Sequence, residues 1–233
     1  MLEVNGLHTY YGRARILEDV SFQVARGEVV ALLGRNGAGK TTTLKSIMSL
    51  LRPAAGKVTF DGREISGLAP YQIARLGLGY VPEDRRIFTN LSVMENLAAG
   101  HQPPRDDAPE WTPDRLFALF PNLAQMRHRL GGSMSGGEQQ MLTIARTLMG
   151  NPRAILMDEP SEGLAPVIVE QMVETIAELK AHGVTIVLSE QNLHFARAVA
   201  DRAMIIEKGR IRYTGSMEDL AADEEVRAAY LTV

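Results

Sequence analysis

The sequence contains no cysteine, which excludes disulfide bonds, thiol catalysis and metal sites built on cysteine. Although 45% of its residues are hydrophobic, no apolar run approaches the roughly 18 residues that a membrane-spanning helix needs. The first residues show neither the basic segment nor the apolar core of a secretory signal. We therefore expect a protein that stays in the cytoplasm.

The sequence also lacks a large excess of either charge, since its net charge is only −3 and its isoelectric point is near 6.0. A chain with this balance lacks the overall excess of positive charge that is typical of nucleic-acid-binding proteins. Its 233 residues can bury the core of one large domain, or of a core with a subdomain. No internal repeat or low-complexity tract suggests another organisation.

A glycine-rich stretch between an apolar run and a helix-like pattern predicts a phosphate-binding loop. The stretch reads Gly34, Arg35, Asn36, Gly37, Ala38, Gly39, Lys40, Thr41 and Thr42. Glycines let the backbone approach phosphates, and the following helix start adds partial positive charge. Lys40 would reach the β- and γ-phosphates, and the Thr41 hydroxyl would bind Mg²⁺. The alternative is a simple glycine-rich turn, but the strand-to-helix setting favours the phosphate loop.

Two adjacent carboxylates follow a second apolar run, at residues 154–157. This pattern predicts a buried strand whose carboxyl end opens onto the phosphate site. There Asp158 would hold Mg²⁺, through water, and Glu159 would orient and deprotonate an attacking water. Paired acids after a strand are often only solvated, so this interpretation depends on the phosphate loop.

A third motif combines Ser135, Gly136, Gly137 and Glu138. Ser135 and Glu138 have the spacing of a capping box, which predicts an ordinary helix start. Two glycines in the first turn weaken a helix by roughly 1 kcal/mol each relative to alanine. A bare helix end rich in N–H donors would suit an anionic phosphate.

Two aromatic residues leave alternatives open. Tyr11 precedes the phosphate loop, where it could stack on adenine or serve only in packing. Trp111 lies in a stretch with four prolines, residues 101–113, which cannot form a regular helix. This tryptophan could mark a partner surface, although local packing explains it equally well.

Hydrophobic periodicity predicts an α/β fold. Strands are expected at residues 2–9, 16–24, 29–33, 58–60, 63–65, 78–81, 154–158, 184–188 and 203–206. Helices are expected at residues 44–51, 93–99, 113–120, 135–149 and 166–182. A helical tail is expected from 216 to 233.

The order of the three motifs resembles the ATP-binding subunit of ABC transporters, and the resemblance covers nearly the whole chain. It implies a P-loop NTPase of RecA-like α/β type with an antiparallel β subdomain and an α-helical subdomain. All of 1–233 would form one domain. The core and β subdomain would take residues 1–88 and 151–233, and the helical subdomain about 89–150.

The resemblance also implies the roles of particular residues. Tyr11 matches the aromatic that stacks on adenine, and Gly34 to Thr42 matches the Walker A loop. Met134 to Glu138 matches the signature loop, which is the most specific of the motifs, and Ala154 to Asp158 matches Walker B. Glu159 matches the catalytic glutamate, and residues 161–164 match a loop through which two ATPase subunits contact each other.

Three positions depart from the broad family pattern. Glu83 replaces a glutamine beside the γ-phosphate and its metal, Glu138 ends the signature in place of glutamine, and Gln191 replaces a switch histidine. Glu83 would add repulsion unless a metal or a cation such as Arg85 screens it. Gln191 can donate to phosphate but cannot become cationic.

These departures resemble one of the two ATPase subunits of branched-chain amino acid importers. Urea and short-amide importers have a similar subunit and remain the alternative, and a soluble ABC ATPase outside transport is a further one. The resemblance implies ATP and Mg²⁺ as cofactors, and the solute depends on the resemblance alone.

The same resemblance implies the partners. These are a second ATPase subunit, two transmembrane permeases and, indirectly, a periplasmic solute-binding protein, with no nucleic acid. Glu83 and Gln191 favour a heterodimer, although a homodimer stays open. The permeases would touch the face near residues 85–88. The chain would then lie peripherally on the cytoplasmic face of the inner membrane.

Overall fold

The computed structural model describes residues 1–231. Its strands are β1 (Leu2–Tyr11), β2 (Ala14–Val24), β3 (Val29–Leu33), β4 (Ala55–Phe60), β5 (Arg63–Glu64), β6 (Leu78–Val81), β7 (Ala154–Asp158), β8 (Thr185–Glu190), β9 (Arg202–Glu207) and β10 (Arg210–Ser216). Its helices are α1 (Lys40–Ile47), α2 (Pro70–Arg75), α3 (Val93–Gly100), α4 (Pro113–Leu119), α5 (Pro121–Gln125), α6 (Gly136–Leu148), α7 (Pro166–Ala181), α8 (Leu193–Val199), α9 (Met217–Ala222) and α10 (Glu224–Tyr230). The predicted mixed α/β fold is confirmed.

The larger sheet determines where the predicted site residues lie. Its strands run in the order β10-β9-β3-β8-β7-β6, and all are parallel except the edge strand β10. Every residue of β3, β7 and β8 is buried, as expected for parallel strands covered on both faces. The carboxyl ends of β3, β6, β7 and β8 therefore meet at one edge, where ligands bind in open α/β sheets.

The smaller sheet is antiparallel, with the order β2-β1-β4-β5. Alternating burial along β2 turns one face of this sheet toward the core. Asp61 and Gly62, both at positive φ, form the two-residue turn of the hairpin between β4 and β5. Leu17, Val20 and Phe60 from this sheet share one hydrophobic cluster with Leu32 of β3.

The segment between β6 and β7 is helical, as predicted, and is interrupted by an irregular stretch after α3. Arg105 holds this stretch against the core by donating to the carbonyls of Gly150 (2.6 Å), Asn151 (2.9 Å) and Arg75 (2.9 Å). Trp111 is only 3% exposed, so its role includes local packing.

Several predicted boundaries were wrong. β1 continues to Tyr11, because Tyr10 and Tyr11 still pair with β2, and α1 ends at Ile47 rather than at 51. The tail forms two helices instead of one, because Asp223 leaves helical geometry and caps α10. The last predicted tail residues, 232–233, lie outside the described part of the chain. Within residues 1–231, no helix is both long and apolar enough to traverse a bilayer.

Candidate functional site

The loop between β3 and α1 has a backbone shape that suits an anion. Gly37 (φ 76°) and Gly39 (φ 117°) adopt the left-handed conformations that favour glycine. A Cβ on Gly39 would lie 2.9 Å from Leu17 Cδ2, and one on Gly34 would lie 2.4 Å from the Ile206 carbonyl oxygen. The loop is therefore bare backbone packed against the edge of the sheet, as a phosphate loop requires.

Lys40 lies inside this loop and is only 3% exposed. Its Nζ donates to the carbonyl oxygens of Gly34 (2.8 Å) and Arg35 (3.2 Å). The same ammonium lies 3.1 Å from Glu159 Oε1. The structure thus joins the predicted phosphate-binding lysine directly to the predicted base.

Asp158 is fully buried at the end of β7 and accepts three side-chain hydrogen bonds. Its Oδ1 accepts from Thr41 Oγ1 (2.9 Å) and Ser189 Oγ (2.8 Å), and its Oδ2 accepts from the Tyr80 hydroxyl (3.0 Å). The two predicted metal-binding side chains, Thr41 and Asp158, are therefore in direct contact.

Tyr80 and Ser189 were not predicted as site residues. Both lie near the carboxyl ends of the strands that flank β7, and the sequence alone does not show that these strands are neighbours. Burial and the negative charge of Asp158 raise the pKa of Tyr80 far above its usual value. The phenol consequently remains a hydrogen-bond donor to Asp158.

Glu159 occupies a strained position directly after β7, with φ 46°. Its N–H donates to the carbonyl oxygen (3.1 Å) and hydroxyl (3.0 Å) of Ser189. Its Oε2 accepts from Gln191 Nε2 at 2.8 Å. Burial would raise the pKa of Glu159, but hydrogen bonds from Gln191 and Glu162 and the charge of Lys40 hold it below its ordinary value.

A second carboxyl group shares this environment. The hydrogen bond to Glu159, followed by burial and the negative charges of Glu159, Glu83 and Glu190, raises the pKa of Glu162 to about 7. Glu162 thus donates a proton toward Glu159, which stays ionised. No local sequence pattern predicts this pair, because it depends on how residues 159–162 turn.

Glu190 ties this turn to β8. It is 2% exposed, and burial raises its pKa. Its oxygens accept from the backbone N–H groups of Ser161 (3.0 Å), Gln191 (3.2 Å) and Asn192 (3.2 Å). These bonds fix the loops that carry Glu162 and Gln191.

The predicted capping box at the start of α6 is present. Ser135 Oγ accepts from the Glu138 N–H (3.4 Å), and Glu138 Oε2 accepts from the Ser135 N–H (2.6 Å). The glycines also have a packing role, because a Cβ on Gly136 would lie 2.8 Å from Arg85 Nη1 and one on Gly137 would lie 3.0 Å from Ile168.

The structure does not bring this helix start to the phosphate loop of the same chain. Within residues 1–231, no hydrogen bond or ion pair joins residues 134–138 to Gly34 or to residues 36–42. The helix start faces the loop after β6 instead, where Thr143 Oγ1 donates to the Arg85 carbonyl oxygen at 2.9 Å.

Glu83 and Tyr11 lie at the borders of the site. The charge of Glu83 reaches Glu162, yet in the described part of the chain Glu83 forms no ion pair with Arg85. Arg85, one of the groups that could screen Glu83, therefore does not do so by direct contact. Tyr11 ends β1 and is 51% exposed, so its ring is available for stacking.

The oxygen donors Thr41 and Asp158 suit Mg²⁺, which usually binds to one or two protein oxygens together with substrate phosphates. Across the described residues, no three histidine or acidic side chains converge to hold a metal unaided. The donor set thus fits an ion brought with a polyphosphate.

Comparison with known proteins agrees with this geometry. The family model described as "ABC transporter" matches residues 17–162. The chain is 44% identical over 231 residues to the high-affinity branched-chain amino acid transport ATP-binding protein BraG of Pseudomonas aeruginosa, covering 99% of each chain. It is also 38% identical over 224 residues to the lipopolysaccharide export system ATP-binding protein LptB of Escherichia coli K12, covering 95% of this chain and 92% of LptB.

Solved structures with the same fold include nucleotide-binding proteins. An ATP-binding subunit of an ABC transporter has a TM-score of 0.83 and 31% identity, covering 99% of this chain and 96% of that one. An ATP-binding cassette in an ADP conformation has a TM-score of 0.82 and 26% identity, covering 98% and 97%. The expected P-loop core with β and helical subdomains is thereby confirmed.

Proposed function

The chain belongs to the ABC transporter family of ATP-hydrolysing subunits, and from that premise we propose that it drives an importer of branched-chain amino acids. The proposed solute is supported by the full-length similarity to BraG, at 44% identity. Members of this family bind ATP, dimerise and work with transmembrane permeases. A second candidate is lipopolysaccharide export, which the full-length similarity to LptB favours.

In this proposal the phosphate loop, residues 34–42, holds the triphosphate. The left-handed glycines support it, because they leave backbone N–H groups uncovered. Lys40 would exchange its bonds to Gly34 and Arg35 for the β- and γ-phosphates, since an ammonium pairs better with phosphate than with neutral carbonyls. Tyr11 would stack on adenine.

Thr41 and Asp158 would hold Mg²⁺, with Glu83 near the ion. When bound, the ion supplies positive charge that neutralises the phosphate oxygens. Tyr80 and Ser189 orient Asp158 for this role by donating to both of its oxygens.

Glu159 would act as the general base. Its pKa below the ordinary value keeps it ionised at neutral pH, so it can accept a proton from water. Gln191 donates to Glu159 Oε2 and holds the carboxylate in place, which a glutamine can do without becoming cationic. Release of Lys40 to phosphate would free Glu159 Oε1 for the water.

The start of α6 would contact the ATP of a second ATPase subunit. The support is that Ser135, Gly136 and Gly137 form the capped start of a 13-residue helix. This helix start lies beside Arg85, in the loop after β6. The loop at residues 161–164 would contribute to the same dimer. We propose a heterodimer, because Glu83 and Gln191 weaken one catalytic site and a partner could supply the usual residues.

The permeases would dock on a cavity of about 430 Å³ beside the loop after β6. Phe88 (50% exposed) and Tyr71 (61% exposed) line it, and Arg146 stacks over the Phe88 ring at 4.8 Å. Exposed aromatics of this kind are common at interfaces. Such docking would place the chain on the cytoplasmic face of the inner membrane as a peripheral subunit.

Reconstitution tests the proposal. The chain, assembled with its partner ATPase, permeases and solute-binding protein in proteoliposomes, should hydrolyse ATP faster when leucine, isoleucine or valine is supplied. Leucine should accumulate in the compartment on the ATPase side. Stimulation by urea or by lipopolysaccharide, with none by these amino acids, would contradict the proposed solute.

A further inference from the structure

Glu190, the last residue of β8, is a buried carboxyl group that has no role in the proposed reaction so far. Its side chain is only 2% exposed, and it forms no ion pair within residues 1–231. Burying a carboxylate without a cation is costly unless hydrogen bonds replace the water that it loses. The hydrogen-bond partners of Glu190 therefore indicate what this residue does.

The two oxygens of Glu190 hold two different loops. Oε1 accepts from the N–H of Ser161 (3.0 Å), in the loop after β7. Oε2 accepts from the N–H groups of Gln191 and Asn192 (both 3.2 Å), in the loop after β8. Because the side chain is buried and each oxygen already accepts, Glu190 is not available to activate water itself. It can affect hydrolysis through the loops that it joins.

The same two loops contain the proposed base and its amide partner. Glu159 lies two residues before Ser161, and Gln191 directly follows Glu190. Gln191 Nε2 donates to Glu159 Oε2 at 2.8 Å. Glu190 thus joins the backbone segments on either side of this contact. Such a connection matters for catalysis, because a misplacement of about 1 Å can lower a rate by roughly 100-fold.

The sheet itself does not hold these loops together. The ladder between β7 and β8 ends at the pair Asp158 and Ser189. Glu159 still bonds back to Ser189, but its positive φ of 46° turns the chain away from the direction of β7. The bond from Ser161 to Glu190 then ties the turned segment to the end of β8. The carboxylate therefore extends the connection between the two strands beyond their ladder.

We propose that Glu190 is a positioning residue for ATP hydrolysis, because it fixes Gln191 against Glu159 from both loops. The inference rests on the proposed role of Glu159 as the general base. A carboxylate suits this position, since it presents one acceptor oxygen to each loop.

Two substitutions of Glu190 separate this role from a local one. Glutamine has one acceptor oxygen and one NH₂ donor, so one of the two loops would face a donor and lose its bond. Aspartate keeps both oxygens but is one methylene shorter. It can still accept from the N–H groups that follow it in its own loop, as aspartate commonly does in turns, but it cannot also reach Ser161.

Turnover and nucleotide affinity of the assembled transporter test the inference. Turnover that remains in Glu159→Gln is subtracted, because it does not depend on the base of this chain. Glu190→Gln should lower the remaining kcat at least about tenfold, since the base is misplaced. The dissociation constant of a fluorescent ATP analogue should change less than about twofold, because Lys40 is not among the partners of Glu190. Unchanged affinity also shows that the variant is folded.

Glu190→Asp should lower kcat about fivefold or more at unchanged affinity, because the loop after β7 is released. A carboxylate needed only within its own loop would be replaced by aspartate without loss. Glu207→Gln is the matched control at the end of another strand, β9. Its ion pairs to Arg212 (3.5 Å) and Lys208 (4.0 Å) lie at the surface, so kcat should match that of the unmodified protein.

A double-mutant cycle shows whether Glu190 acts through Gln191. Gln191→Ala should lower kcat, and adding Glu190→Asp to it should lower kcat no further. Losses that multiply would contradict the inference. Unchanged kcat in Glu190→Asp would overturn it too, even if Glu190→Gln does not fold.

Failure of the inference differs from failure of the proposed function. Normal turnover by Glu159→Gln would remove the base and the inference together. Normal turnover by Glu190→Asp beside an inactive Glu159→Gln would overturn the inference alone. Neither result concerns the solute, because amino acid uptake is measured separately.

Discussion

Lys40 Nζ lies 3.1 Å from Glu159 Oε1, and both side chains are buried. The cation proposed to bind phosphate thus neutralises the carboxylate proposed to activate water. The two proposed roles are linked, because phosphate would compete with Glu159 for the same ammonium. Binding of the triphosphate would therefore free the proposed base.

Glu159→Gln removes the proposed base and retains the shape of the side chain. We expect hydrolysis to fall by roughly 100-fold or more, the usual contribution of a general base. ATP should still bind, and ATP-bound dimers should accumulate in gel filtration. Glu170→Gln, an exposed substitution on α7, is the control. Rapid turnover by Glu159→Gln would remove this residue from the role of base.

Lys40→Ala deletes the ammonium from the phosphate loop. Nucleotide affinity should fall by roughly 10- to 100-fold, since a charge-assisted hydrogen bond is lost. Titration with a fluorescent ATP analogue measures the change. Lys45→Ala is the matched control, because Lys45 lies in the last turn of the same helix. Equal affinities of the two variants would argue against the proposed contact.

Tyr80→Phe removes the donor to Asp158 Oδ2. The free energy of unfolding should fall by about 1–2 kcal/mol, because a buried carboxylate oxygen loses its partner. Denaturant unfolding measures this loss. Tyr71→Phe alters an exposed tyrosine, and its effect should stay within about 0.5 kcal/mol. A smaller loss for Tyr80→Phe than for Tyr71→Phe would contradict the assigned bond.

Glu162 predicts a pH dependence. Its folded pKa of about 7 lies above the ordinary value of 4.5, so folding favours the protonated form. The contribution of Glu162 to the free energy of unfolding is therefore greatest below pH 4.5, and it is lost as the pH rises to about 7. Relative to Glu162→Gln, the unmodified protein should therefore lose stability across this window in denaturant titrations. A constant difference between the two proteins would show that Glu162 has an ordinary pKa.

Phe88→Ala tests the proposed permease surface. Truncating an exposed aromatic at the centre of an interface should lower the amount of permease that co-purifies by about fivefold or more. Leu50→Ala, which also changes a large exposed side chain, is the control. Equal recovery of permease with both variants would place the permease elsewhere.

The parts of the site that depend on adjacent residues could be predicted from the sequence. Gly34 to Thr42 carries its own turn and helix start, and Asp158 follows directly from the buried run of β7. The capping box of Ser135 and Glu138 is likewise local, and the structure contains it.

The parts that depend on distant residues could not be predicted. Tyr80 and Ser189 become donors to Asp158 only because β6 and β8 flank β7. The proton shared by Glu162 and Glu159 depends on the turn after β7, where Glu159 has positive φ. The burial of Trp111 needs α7, which lies far along the sequence.

The proposal that ATP binds between the phosphate loop of one subunit and the start of α6 of the other is tested most directly by disulfide crosslinking. The chain suits this test because it has no cysteine of its own. In the assembled transporter, Ser135→Cys on this chain is combined with a cysteine in the phosphate loop of the partner ATPase. We expect a crosslink that forms with ATP and Mg²⁺ and is lost without nucleotide. If the crosslink never forms, or forms equally without nucleotide, ATP is not bound between these two surfaces.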